Sequence, residues 1–386
     1  MSFLLVGVLA IATYAFVVRI PDSSVPGWVL ADRREAVQRA IRGQEVIRRD
    51  RAREHLPYNT GDRFHTGLIG VAASPIVTEL GSLPSKRTST NPVFAAAVVQ
   101  MLYQAGVRPG DVVAIGMSGS YPGFDVDAYV GTEAIGADPL VISSIGASQY
   151  GATDPDLTWF DMEKSLYDAG VIHHRSIAVS QGGTLSGKTY LIRRTLAERT
   201  GLPVVPVLPL SSEAKWRQHL YLTTAQKTGR PIRAFIDVGG AEANVGAGGS
   251  ESIIHPGLSR PHWDTYQASR LGVTGLMATR RIPIVALFQP SRLAKQYQVP
   301  YDPTIAPTAR DIPRPPADPI GLAFALVGLI AVVVAFHRLG LFRIPNWELP
   351  PALRRRARRP GLPVDPMASE LGVPETVPED ILTRRN

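Results

Sequence analysis

From Phe94 to Phe288 the chain keeps returning to one pattern, in which apolar residues at helical spacing run up to a glycine or short turn and a run rich in β-branched residues follows. The segments FAAAVVQMLYQAGVRPGDVVAIGM, YVGTEAIGADPLVISSIG, KSLYDAGVIHHRSIAVS, TLAERTGLPVVPVLP and GLMATRRIPIVALF all read this way. Helices alternating with strands predict an α/β fold, a mostly parallel sheet sandwiched by helices, and no fixed-period repeat accompanies it. Ligands on such sheets gather at the carboxyl ends of the strands, so the loops that follow strands are where chemistry is expected.

Two longer apolar runs bracket this region. Residues 3–18 (FLLVGVLAIATYAFVV) and 320–336 (IGLAFALVGLIAVVVAF) carry no charge and predict one transmembrane helix at each end. No basic residue precedes the first run and no small-x-small cleavage site follows it, which favours an uncleaved anchor over a signal peptide. His337, Arg338, Arg343 and the run RRRARR at 354–359 place the tail in the cytoplasm by the positive-inside rule. Both termini are then cytoplasmic and the central domain is extracytoplasmic, held in the cytoplasmic membrane by two spans. The expected organisation is an anchor over 1–20, a basic juxtamembrane helix over 21–60, the α/β domain over 61–300, a Pro-rich tether over 301–319, a second span over 320–337 and a basic tail over 338–386. Within 31–55, Ala36, Val37, Ala40 and Ile41 share one helical face, leaving the arginines a solvated basic side.

Composition adds little to this picture but excludes some classes. Hydrophobic residues at 45% and charged residues at 19% rule out a disordered chain, and the absence of cysteine removes disulfides, thiolate catalysis and cysteine-based metal sites. A net charge of +8 points to an anionic partner or membrane surface.

Five loops have the residues for chemistry. Residues 85–92 (SKRTSTNP) set Lys86, Arg87 and Thr88 ahead of a helix that Thr90 or Asn91 would cap with Pro92 in its first turn, so the two cations would face an anion there. Residues 116–130 (GMSGSYPGFDVDAYV) turn from strand to helix at Ser118, Gly119 and Ser120; this is close to a nucleophile elbow, but Ser120 stands where G-x-S-x-G needs glycine. Residues 143–164 (SSIGASQYGATDPDLTWFDMEK) gather Ser144, Ser148, Asp154, Asp156, Trp159, Asp161 and Glu163; the carboxylates suit acid–base work, are a weak metal signal, and in the case of Asp156 also suit a helix cap beside Thr158. Residues 182–189 (GGTLSGKT) satisfy the P-loop pattern G-x-x-x-x-G-K-[ST], from Gly182 and Gly183 to Lys188 and Thr189, and Asp237 at the end of RAFIDVGG stands where a second metal-holding carboxylate would be wanted. Residues 237–252 (DVGGAEANVGAGGSES) surround Asn244 with Gly and Ala, a backbone suited to close approach by an extended ligand. His173 and His174 precede a strand and read as surface or core residues.

The segments SKRTSTNP, GMSGSYPGFDV and SSIGASQYGATDPDLTWFDMEK, with the two Gly-rich loops and a span at each end, resemble the poly-γ-glutamate system protein family, membrane proteins associated with synthesis and export of poly-γ-glutamate. The resemblance runs over roughly residues 80–250 and is most specific in the third segment. It implies an accessory role in polymer synthesis or export, with the anionic polymer, the membrane and other membrane subunits as partners, and no nucleic acid. It also implies a glycine-rich loop at Gly182 that does not require Lys and Thr. ATP is, as a rule, absent outside the cytoplasmic membrane, so Mg-ATP is a cofactor only under the alternative reading as a P-loop NTPase. A further alternative is a serine-type hydrolase or transferase acting on the polymer, with Ser118, Asp156, Asp161 and Glu163 as catalytic candidates. In the preferred reading the chain binds carboxylates through Lys86, Arg87, Lys188 and backbone N–H groups near Ser118 and Gly183, with no metal.

Overall fold

Four of the five β-branched runs pair in one sheet as the pattern requires, whereas PVVPVLP, interrupted by prolines, contributes only an isolated bridge from Val204 to Val179. In the computed structural model, which describes residues 27–183, 187–246, 253–263 and 265–313, the strands in chain order are β1 (Val77–Glu79), β2 (Val112–Met117), β3 (Asp138–Ser144), β4 (Ala147–Ser148), β5 (Thr153–Asp154), β6 (Leu157–Thr158), β7 (Ala178–Ser180), β8 (Ile232–Val238), β9 (Gly257–Ser259) and β10 (Ile284–Leu287). The helices are α1 (Gly27–Arg53), α2 (Leu83–Ser89), α3 (Phe94–Ala105), α4 (Pro122–Ala134), α5 (Trp159–Asp168), α6 (Gly187–Arg199), α7 (Leu210–Thr228), α8 (Glu242–Val245), α9 (Thr265–Arg270), α10 (Gly272–Ala278) and α11 (Pro290–Gln296). Both apolar runs and the arginine-rich tail lie outside the described residues, among which no helix is long and apolar enough to cross a membrane.

A six-stranded sheet in the order β7-β3-β2-β8-β10-β9 forms the centre. All its pairings are parallel except that of β9 with β10. Strand side chains alternate between faces, so Val113, Ile115 and Met117 of β2 and Ala234, Ile236 and Val238 of β8 point into one core, under α1, α3, α4 and α5. Val112 and Ala114 of β2 and Ile232 and Phe235 of β8 point into the other, under α7 and α10. Helices on both faces explain why these strands read as continuous apolar runs. The path moves outward from β2 through β3 to β7, then returns to the far side of β2 for β8 and β10. The order therefore reverses between β2 and β8, and the loops leaving these two strands part at their carboxyl ends.

Helix α1 is a layer of this domain. Val29, Ala36, Val37, Ala40 and Ile47 are buried, and Gly43 lets α5 approach so closely that a Cβ there would stand 3.1 Å from Leu166. The solvated basic side expected of this helix is carried by Arg34, Arg42, Arg49 and Arg53, while Arg33, Arg39 and Arg51 turn inward. Arg39 pairs with Glu133 and donates to the Val171 carbonyl at 2.7 Å; Arg51 donates to the Gly67 carbonyl at 2.8 Å and to Asp154 at 3.2 Å. Arg33 donates to the Pro313 carbonyl at 2.6 Å.

The Pro-rich segment, expected as a free extended tether, is docked over its described part. Asp302 accepts from Arg87 Nε at 2.5 Å and Nη2 at 2.9 Å and from Arg63 at 3.0 Å, and its own N–H donates to Thr88 at 2.8 Å.

Candidate functional site

The carboxyl edge of the sheet is lined by glycines in the left-handed region. Gly119 (φ +44°) follows β2, Gly182 (+65°) and Gly183 (+62°) follow β7, and Gly239 (+83°) and Gly240 (+68°) follow β8. An L side chain is strained at such φ values, and here space is short as well: a Cβ on Gly239 would collide with Ser118 Oγ. At the switch point itself, Ser118 Oγ donates to the Val238 carbonyl at 3.3 Å, bridging the ends of β2 and β8.

On the α7 face of this edge, Asp237 is fully buried. Asn244 Nδ2 donates to its Oδ1 at 3.0 Å, and among the described residues Oδ2 has no hydrogen-bond partner. Burial pushes the Asp237 carboxyl up to about 7, against the opposing influence of the Asn244 bond and the Arg217 charge. Arg217, buried on α7, donates to Ser180 Oγ at 2.6 Å and pairs with Glu213 at 2.6 Å. It thereby ties the end of β7 to the helix beneath the crevice. Asn244 fits against β2 only because Gly116 has no side chain.

On the opposite face, α2 brings Lys86 under the turn after β2. The side chain is 1% exposed; Nζ donates to the Ser120 carbonyl, lies 2.6 Å from Ser148 Oγ, and sits 4.2 Å from the centre of the Tyr121 ring. Ser148 N–H donates to Ser120 Oγ at 3.1 Å, so β4 and the turn after β2 are held together around the amine. Burial lowers the Lys86 amine to about 7, opposed by Asp125 and Glu79. Asp125, in the first turn of α4, is fully buried, and among the described residues neither of its carboxylate oxygens has a hydrogen-bond partner. Its carboxyl is held well above the usual range by burial, with Lys86 opposing and Glu163 adding to the rise.

Several residues singled out from the sequence are engaged elsewhere. Lys86, Arg87 and Thr88 lie within a helix of their own, α2, and the next helix, α3, begins at Phe94 with no side-chain cap, Asn91 Oδ1 accepting from Val93 N–H at 3.1 Å. Arg87 and Thr88 hold Asp302, so they do not offer a free cation and hydroxyl to a ligand. Ser118 has its hydroxyl on a backbone carbonyl, and among the described residues no base is bonded to it. Asp161 makes the cap expected of Asp156: it accepts from Thr158 N–H at 2.8 Å and Oγ1 at 2.6 Å, and it pairs with Arg199 at 3.0 Å. Asp156 is exposed and lines, with Asp161, Lys164 and Arg199, a separate charged cleft of about 850 Å³. Glu163 is a buried structural acceptor for Tyr129 at 2.6 Å and for Ser176 Oγ at 2.6 Å. Trp159 is buried and stacks on Tyr129, its Cβ backing Gly119. Ser144 donates to the Gly146 carbonyl at 3.3 Å, and its Cβ lies against the position that a side chain on Gly182 would need. His173 and His174 converge on Glu133, Nδ1 to carboxylate distances being 3.1 and 2.9 Å.

The P-loop pattern keeps its strand-to-helix setting, with β7 leading through Gly182 and Gly183 to α6 and an exposed Lys188; residues 184–186 lie outside the described ones. Its second carboxylate does not follow. β3 and β2 stand between β7 and β8, about 14 Å at the usual strand spacing, and Asp237 is sealed under Asn244, so it cannot share a metal with Thr189.

The sequence carried no signal for the Lys86–Ser148 approach, which spans 62 positions, nor for the bond from Arg217 to Ser180, which spans 37. Compared with protein-family models, curated proteins and solved structures, the chain matches none. Fold and edge together define an α/β protein whose glycine-lined carboxyl edge lies at the switch point of a doubly wound sheet, the place where such sheets are expected to form a ligand crevice.

Proposed function

We propose that this protein is a membrane-anchored accessory component of poly-γ-glutamate synthesis or export, and that it holds a stretch of the anionic polymer along the carboxyl edge of its sheet. The observation that carries this reading is the row of left-handed glycines after β2, β7 and β8. Glycines in that conformation let backbone N–H groups approach a ligand closely, and such groups bind carboxylates as they bind phosphates. A polymer with a carboxylate on every unit can use several turns at once, where a small anion uses one. Lys188, exposed in the first turn of α6, supplies a mobile cation at the same edge. The apolar runs at 3–18 and 320–336 supply the anchors, with the α/β domain outside the cell membrane.

Binding of poly-γ-glutamate oligomers to the full chain in detergent tests the reading. Affinity is expected to fall as salt rises, and Lys188→Ala to weaken binding at low salt by roughly three- to tenfold, the range of one partly exposed charge-assisted contact. Absence of binding, or binding indifferent to both salt and Lys188, defeats the proposal. Mg²⁺-dependent ATP binding that Lys188→Ala abolishes would put the P-loop reading in its place.

A further inference from the structure

We infer that Ser148 and Lys86 are a nucleophile and its general base, so that the crevice cuts or transfers an amide of the chain it holds. The identity of the substrate rests on the reading above; the pairing rests on geometry alone. Lys86 Nζ and Ser148 Oγ are 2.6 Å apart, the separation a proton transfer needs. A neutral amine has two N–H bonds and one lone pair. One N–H is taken by the Ser120 carbonyl, the Tyr121 ring lies under the nitrogen at 4.2 Å, and the lone pair is left to accept the Ser148 hydroxyl proton. The charged groups facing the amine are Asp125 from α4 and Glu79 from β1, and the phenol of Tyr121 is held up at about 12 by burial. Among the described residues no carboxylate lies within ion-pair distance of Lys86, although a lysine serving only to satisfy a buried carboxylate would close on Asp125, whose two oxygens have no hydrogen-bond partner there. Among the described residues the amine is thus buried with Asp125 and Glu79 acting on it from beyond ion-pair distance, a setting in which burial favours its neutral, basic form.

Ser148 is placed for attack where Ser118 is not. It is half-buried and not sealed, its N–H is fixed on Ser120 Oγ, and its hydroxyl faces a base and not a carbonyl. In the reaction, Ser148 Oγ bonds to the carbonyl carbon of a γ-glutamyl amide as its proton passes to Lys86 Nζ. The carbon–nitrogen bond then breaks, and Lys86 returns that proton to the leaving nitrogen. The acyl group, now an ester on Ser148, is released by water, whose proton travels through Lys86 back to Ser148 Oγ and whose oxygen completes the new carboxylate. An amine in place of water gives transfer instead of hydrolysis.

The test labels the full chain in detergent with an alkyl fluorophosphonate and locates the adduct by peptide mass spectrometry, while polymer length is followed in parallel. The expected adduct is on Ser148, forming faster as pH rises through about 7 where Lys86 loses its proton. Ser148→Ala should abolish it while still binding polyglutamate, and Lys86→Met should slow it by about 100-fold or more, the usual weight of a general base. Wild-type chain that binds polymer but neither labels at Ser148 nor shortens or re-ends it overturns the dyad and leaves the binding proposal standing. Labelling at Ser148 without polymer binding overturns the substrate and leaves the dyad. Labelling that is flat with pH overturns the role of Lys86, and this readout needs no Lys86 variant to fold.

Discussion

Asp237 is held with one carboxylate oxygen on Asn244 and the other without a hydrogen-bond partner among the described residues. Because burial moves its carboxyl from the ordinary 3.8 up to about 7, the folded chain keeps a proton over that interval that the unfolded chain has lost. The stability this group supports is complete below pH 3.8 and declines as pH rises through 7. Asp237→Asn keeps an acceptor for Asn244 and cannot ionise, so at pH 8 it should be more stable than wild type by about 1–3 kcal/mol, with the gap closing in acid. Thermal melts of both proteins from pH 4 to 8 check this, and a variant destabilised throughout would show the residue is ionised and paired. Lys86 works in the other sense: between about 7 and 10.5 the folded chain lacks a proton that the unfolded chain carries, so its contribution grows with pH. From sequence, Asp237 was visible at a strand end, where the apolar run of β8 stops. Its protonation was not, since that depends on the burial supplied by α7 and α8.

For the elements, the sequence revealed which face of α1 is apolar but not which arginines leave the solvent. Ala36, Val37 and Ala40 announce the face by spacing alone, whereas Arg39 goes inward to meet Glu133 and the Val171 carbonyl, 94 and 132 positions away. Arginine pays little for that turn when its whole fork is engaged, and no local pattern encodes such partners. Arg39→Leu should therefore cost about 1–3 kcal/mol, since Glu133 retains only the His173 and His174 contacts, while Arg42→Ala on the exposed side should change stability by about 0.5 kcal/mol or less. Urea unfolding of the two variants separates the buried arginines from the solvated ones, and equal effects would contradict the packing of α1. The loop at Gly182 teaches the same lesson. Strand, glycines and helix were legible in order, but the sheet order that parts β7 from β8 is set by which way the chain crosses over, and no window of sequence holds that information.

At the scale of the molecule, alternation of helix and strand was enough to name an α/β fold with a mostly parallel sheet. It did not show that residues 301–313 belong to the domain, because their docking relies on arginine, aspartate and backbone contacts and not on an apolar repeat. The membrane proposal is tested at this scale too. In this cysteine-free chain, Ser250→Cys should react with a membrane-impermeant thiol reagent on intact cells and Glu370→Cys should not; the reverse would invert the topology and bring the crevice within reach of ATP. The bond from Arg33 to the Pro313 carbonyl joins positions 280 apart and brings the start and finish of the domain side by side. The first residue of α1 lies only about 9 Å along the helix from Arg33. The domain is thus nearly a closed ring of chain. It should accept circular permutation, with a short linker joining residues 27 and 313 and new ends opened at the exposed Gly201 turn, and still assemble the same sheet.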